Sequence, residues 1–203
     1  QDVVELMDFM SDAPRQSVRA VPGRGLKVPV WILGSSLYGA QLAALLGLPY
    51  AFASHFAPTQ LMDAIAIYRA QFQPSAQLSK PYVMLGFNVF AADSDAQAQV
   101  LVTSAQQAFV NLRSGRPAPL PPPRENYVDQ VGPAERAMLD NVLSCAAIGA
   151  PETVRDGLQA FIDRTGPDEL MIACQIFDHG ARRRSYELVA GVRQSLIPAD
   201  PPR

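Results

Sequence analysis

Charge is what this sequence has least of. Its 17 basic and 19 acidic residues make 36 of 203, or 18%, where an ordinary soluble domain carries about a quarter. An unusual share of its surface is therefore expected to be covered by other protein. The formal charge of -2 offers no excess of either sign to nucleic-acid phosphates, anionic lipid or polycations, which argues against those partners. Histidine is scarce too. His55 and His179 stand far apart, with no Cys or carboxylate at ligand spacing, so no metal site is expected. Two cysteines, Cys145 and Cys174, cannot build a disulfide framework, and both lie in apolar surroundings; buried reduced thiols in a cytoplasmic protein are expected. No apolar run approaches the roughly 18 residues of a membrane-spanning helix, so no membrane partner is expected. No Gly-x-Gly-x-x-Gly follows a strand, and no Walker loop or Gly-x-Ser-x-Gly elbow is present, which removes the defining residues of Rossmann, nucleotide-triphosphatase and serine-hydrolase readings.

What is present is a repeated pattern. Val3, Val4, Leu6, Met7, Phe9 and Met10 recur at helical spacing up to Ser11-Asp12-Ala13-Pro14, which reads as the tail of a helix with chain before it. The start at Gln1 has neither an initiator Met nor a signal-peptide layout, so the natural translation start is expected elsewhere. Val28 to Leu33 reads as a strand buried on both faces, and Leu37 to Leu46 as a helix stopped by Gly47. The unit recurs as a strand over 50–54 and a helix through Leu61, Ile65, Tyr68 and Phe72. A third strand over 82–91 is followed by Asp93-Ser94-Asp95 as N-cap chemistry and a helix to about Asn111. Prolines and Gly115 break the pattern between Arg113 and Pro133. Helices over 134–146 and 152–164, a fourth buried strand over 169–177 and a helix over 178–194 complete the pattern. Alternation of this kind predicts an α/β protein with a parallel sheet. Four strands leave open whether that sheet is doubly wound or part of a barrel.

The junction Leu33-Gly34-Ser35-Ser36-Leu37-Tyr38-Gly39-Ala40 is the most informative segment. There a strand gives way to a helix within three small residues, presenting free N–H groups and the positive end of a helix dipole, which suits a phosphate. The alternative is that Ser35 or Ser36 only caps its helix. His55 follows a strand, on the edge where parallel α/β folds place their sites, so an acid/base role is open; a capping or solvated loop histidine is the simpler reading. His179 is expected to serve the start of the last helix, and Arg182-Arg183-Arg184 to lie on a solvated helix face.

The segment from Val28 to Gln41, continued by Gly47-Leu48-Pro49-Tyr50-Ala51-Phe52-Ala53-Ser54-His55-Phe56-Ala57-Pro58, resembles the luciferase-like flavin monooxygenases, in particular their bacterial alkanal-monooxygenase-like members. The resemblance continues through Asp168-Glu169-Leu170-Met171, Gln175-Ile176-Phe177-Asp178-His179 and Arg184-Ser185-Tyr186-Glu187-Leu188, nearly the whole chain. It implies a (β/α)8 TIM-type barrel with flavin across the carboxyl ends of the strands, the strand of Val28 to Leu33 being the fifth. Residues 1–203 would then supply about strands 5 to 8 with their helices, as the carboxyl-terminal half of one barrel domain, with 113–133 a Pro-rich excursion and 198–203 a tail. Such a barrel takes about 250 residues, so the chain is expected to be a fragment of a longer protein.

By the same resemblance Gly34, Ser35, Ser36, Leu37, Tyr38 and Gly39 form the cofactor-binding turn, Ser35 and Ser36 falling where the family contacts the flavin phosphate. Gly39 stands where bacterial luciferases carry a threonine, and backbone N–H groups of Leu37, Tyr38 and Gly39 would substitute for it. The implied activity uses reduced FMN and O2 on an aldehyde-like or other small organic substrate, with a flavin reductase as supplier. A deazaflavin, F420, is the alternative cofactor, and a non-catalytic flavin-binding or structural half-barrel the alternative of another class. Catalytic residues are expected in the amino-terminal half, so none is assigned. Four strands predict two open edges, an exposed inner face and association, with a dimer expected of the full-length protein.

Overall fold

A computed structural model describes residues 2–12 and 17–199. The chain start at Gln1, the Ala13-Pro14 stop and the last four residues of the tail lie outside the described residues. The first helix is α1 (Asp2–Phe9), and residues 17–31 are irregular up to β1 (Ile32–Gly34). The apolar run that begins at Val28 thus enters the sheet late. Pro29 has no N–H to give a ladder, and the backbone of Val30 is paired by a side chain instead: its N–H donates to Gln77 Oε1 at 3.3 Å and its C=O accepts from Gln77 Nε2 at 2.9 Å.

The helix α2 (Leu37–Leu46) ends at Gly47 in the left-handed region, φ 62°. A Cβ there would sit 2.4 Å from the Gln73 carbonyl oxygen, so both conformation and space require glycine. Then come β2 (Tyr50–Phe52), α3 (Leu61–Gln71) and the long β3 (Val83–Ala91). The helix expected after Asp93 is two, α4 (Asp95–Leu101) and α5 (Thr103–Arg113), parted at Val102. Ser94 caps α4, accepting from Gln97 N–H at 3.3 Å. Asp95 instead reaches across to the start of α7 (Pro151–Thr165), accepting from Ala150 N–H at 2.7 Å and the Thr153 hydroxyl at 2.8 Å.

The helix expected over 134–146 is shorter than its sequence pattern. As α6 it covers Pro133–Val142, and after one 3-10 turn Ala146–Gly149 forms a further strand, β4. Five strands are present among the described residues, not four. The last of them, β5 (Glu169–Ala173), stops four residues short of the expected Phe177 and is half-exposed where a buried strand was expected. Asp168 fixes its start: its N–H donates to Val83 C=O at 2.9 Å and its carboxylate accepts from Val83 N–H at 2.8 Å. The final helix, α8 (His179–Val192), is capped by the Asp178 carboxylate on Ala181 N–H at 2.7 Å.

Every strand pairing is parallel, in the order β1-β2-β3-β4 with β5 also on β3. β3 is the hub: its residues 83–85 pair with β2, 84–88 with β5 and 88–91 with β4. The main core lies between one face of the sheet and the helices α2, α3, α7 and α8, around Tyr50, Phe52, Tyr68, Leu85, Phe87 and Phe161. A second cluster, around Phe90, Val102, Phe109, Val142 and Ile176, seats α5 and α6. The opposite face is uncovered. Leu33 is 72% exposed and Met171 52%, so β1 is buried on one face and not on two. Among the described residues β1 pairs only with β2, and both β4 and β5 only with β3, so three strands, and not the two expected, have a single partner. No described helix is long and apolar enough to cross a membrane. Both cysteines are free and buried.

Candidate functional site

The carboxyl end of β1 runs directly into α2, and all six expected cofactor residues, Gly34 to Gly39, gather at that turn. Ser36 is the N-cap residue, with extended backbone at φ -140°, ψ 165°, yet its hydroxyl makes no capping bond. Ser94 and Asp178 do cap their own helices. The simple capping role for Ser36 is therefore not what the structure shows. Ser35 and Ser36 are both exposed, beside the unpaired N–H groups that open an α-helix and give that end a partial positive charge. The turn is held from below by Tyr50, whose hydroxyl donates to Ser36 C=O at 3.2 Å. Burial pushes that phenol's pKa up to about 12, so it stays a donor. A Cβ at Gly39 would lie 3.5 Å from Tyr50 Cε2 and 3.7 Å from Gly34 Cα, ordinary contacts, so packing alone does not demand glycine at that position.

Beside the turn, on the uncovered face of the sheet, lies an apolar recess of about 320 Å³ lined by Trp31, Leu33, Phe52, Met84, Met171 and His55. It is contiguous with the turn through β1: Leu33 lines the recess and Ser36 lies three residues on, at most about 10 Å of extended chain. The only titratable side chain in the lining is His55, just past the carboxyl end of β2. Its ring lies against Gly86, where a Cβ would come within 1.9 Å of Nδ1. That Nδ1 is buried without a hydrogen-bond partner, and burial lowers the imidazole pKa. The loop is pinned by Asn88, whose amide donates to His55 C=O at 2.7 Å, and by the Ser54 hydroxyl on Gly86 C=O at 2.6 Å. A solvated or capping histidine does not describe this ring. The sequence signal was its place after a strand; the glycine beneath it is 31 residues away.

His179 and the arginines stay out of the site. His179 opens α8 and its Nδ1 contacts Arg182 at 2.9 Å, while Arg184 pairs with Asp93 at 2.9 Å and Arg183 approaches Glu187 at 3.9 Å. Those pairs are exposed and contribute little to stability.

The profile of the family described as luciferase-like monooxygenase matches residues 6–169. The chain belongs to that family. A luciferase-like monooxygenase of Escherichia coli strain K12 is 51% identical over 198 residues, covering 97% of this chain and 59% of its own length. The chain thus spans about three-fifths of this relative. The crystal structure of apo-MsnO8 superposes with a TM-score of 0.78 at 28% identity, over 97% of this chain and 60% of that one. This luciferase-like chain is accordingly of the TIM-barrel type, supplying part of the barrel. More distant structures share the fold alone. The oxygenating constituent of 3,6-diketocamphane monooxygenase from Pseudomonas putida, in complex with FMN, gives a TM-score of 0.51 at 18% identity over 84% of this chain and 50% of its own. The coenzyme F420 dependent tetrahydromethanopterin reductase of Methanopyrus kandleri gives 0.52 at 12%, over 87% and 52%.

Proposed function

We propose that this chain is the cofactor-anchoring part of a flavin-dependent monooxygenase that uses reduced FMN and O2 on an aldehyde-like or other small organic substrate. One observation carries the reading: Ser36 sits at the N-cap of α2 with its hydroxyl exposed and unspent on its own helix. Ser35 and Ser36, with the N–H groups of Leu37, Tyr38 and Gly39, would hold the phosphate, and the recess beside Leu33 would take the ring. Bound reduced flavin supplies the electrons that activate O2. The protein's share is to orient the ring against Leu33, Met84 and Met171 and to keep water from that apolar wall. A flavin reductase as electron supplier, and a dimer of the full-length protein, belong to the same proposal.

FMN and riboflavin differ by one phosphate, so their affinities separate the turn from the recess. The reading predicts that Ser35→Ala with Ser36→Ala lowers FMN affinity severalfold toward that of riboflavin, the backbone N–H groups keeping the rest, and leaves riboflavin affinity unchanged. Equal FMN affinity in the double variant would remove the phosphate assignment. F420 also carries a phosphate and is the alternative ligand of the same turn. A second reading, a flavin-binding or structural half-barrel without turnover, is favoured by the uncovered face at Leu33 and Met171. Oxygen uptake in the presence of a flavin reductase separates it from the enzyme.

A further inference from the structure

The inner recess is apolar at every point of its lining but one. Trp31, Leu33, Phe52, Met84 and Met171 do not titrate, and His55 does. A neutral imidazole carries one N–H and one bare nitrogen. The Nδ1 pressed against Gly86 is buried and has no acceptor within reach. Burying an N–H donor with nothing to bond forfeits its hydration outright, and such orphans are rare in folded proteins. The tautomer that fits is therefore bare at Nδ1 and protonated at Nε2. No cation or carboxylate lines the recess to charge the ring, and the polar neighbours are already spent: the Ser54 hydroxyl on Gly86 C=O, and the Asn88 amide on the His55 carbonyl. They fix the loop and leave the imidazole unpaired.

We propose that His55 contacts the ligand of this recess, donating its Nε2–H to a carbonyl oxygen of an uncharged molecule bound there. The inference rests on the flavin reading and deepens it: the oxygen belongs either to the flavin ring or to the carbonyl of the organic substrate beside it. A neutral donor in an apolar wall suits a carbonyl and not an anion, which the recess has no charge to balance. The phosphate end and the carbonyl end of the site are thus read by different chemistry, the helix terminus for one and the imidazole for the other.

Ring-nitrogen NMR of the full chain tests this directly, because only two histidines are present and a His179→Asn variant assigns both. The expected result is a free-state ring in the Nε2–H form, whose Nε2 signal moves on adding FMN, or on adding an aliphatic aldehyde. A shift with FMN and riboflavin alike assigns the oxygen to the flavin ring; a shift with aldehyde alone assigns it to the substrate. His55→Leu should weaken the ligand that moves the ring about tenfold, and His55→Gln, which keeps a donor, should recover most of that loss. If FMN is bound and the ring signal answers to none of the three compounds, His55 is no ligand contact and the inference fails while the flavin reading stands. If FMN is not bound at all, the flavin reading falls; an aldehyde-induced shift then still supports His55, and its absence overturns it.

Discussion

The imidazole of His55 occupies the space in which Gly86 would carry a side chain. All three nearest atoms to a Cβ built on Gly86 belong to that ring, the closest at 1.9 Å. The glycine is therefore needed by the histidine and not by its own backbone. Gly86→Ala should destabilise the chain by about 1–3 kcal/mol, the usual cost of overpacking, read by denaturant unfolding. In a His55→Ala background the same substitution should cost little. An undiminished penalty in the double variant would mean that something other than His55 excludes a Cβ there.

Stability should depend on pH through the same ring. Burial holds the folded pKa of His55 below its ordinary 6.5, so the folded state binds fewer protons than the unfolded state just below that pH. Stability is then full above pH 6.5 and falls as the pH drops through the window beneath it. His55→Gln should flatten unfolding free energy against pH across that window. An unchanged slope in the variant would place the titration elsewhere.

Two serines at two helix starts should respond in opposite ways. Ser94 spends its hydroxyl on Gln97 N–H, and Ser94→Ala should cost about 1 kcal/mol in unfolding experiments. Ser36 has no such bond, so Ser36→Ala should leave stability within a few tenths of a kcal/mol while weakening FMN. A matching loss of stability at Ser36 would restore a plain capping role.

Tyr68 ties α3 to the segments that lead into β2 and β3. Its fully buried hydroxyl donates to Leu48 C=O at 2.9 Å and accepts from Tyr82 N–H at 3.1 Å. Tyr68→Phe leaves both backbone groups without that partner and should cost about 1–3 kcal/mol. Thermal unfolding of the variant checks this; a shift of less than a degree would show that water replaces the hydroxyl.

The alternating pattern, the β1–α2 turn and the caps at Ser94 and Asp178 were legible because each is local, written in a few adjacent residues. The strand Ala146–Gly149 was not. Leu143-Ser144-Cys145-Ala146-Ala147-Ile148 continues the apolar rhythm of α6, and only pairing with Asn88 to Ala91, over fifty residues away, makes its end a strand. The early entry expected for β1 failed for a similar reason, since Gln77 takes the backbone bonds of Val30. Leu33 was expected to be buried because its apolar neighbours are, but a continuous apolar run does not say whether both faces of a strand are covered. The site divides along the same line: Ser35 and Ser36 were visible in order along the chain, whereas His55 gains its place from a distant glycine.

The central claim is that the turn from Gly34 to Gly39 holds the phosphate of a flavin. The most direct test is the ratio of FMN to riboflavin affinity for the unaltered chain and for the Ser35→Ala, Ser36→Ala double variant. A large ratio that falls severalfold in the double variant is the predicted result. A ratio near one in the unaltered chain, or one left undiminished by the loss of both hydroxyls, would contradict the claim.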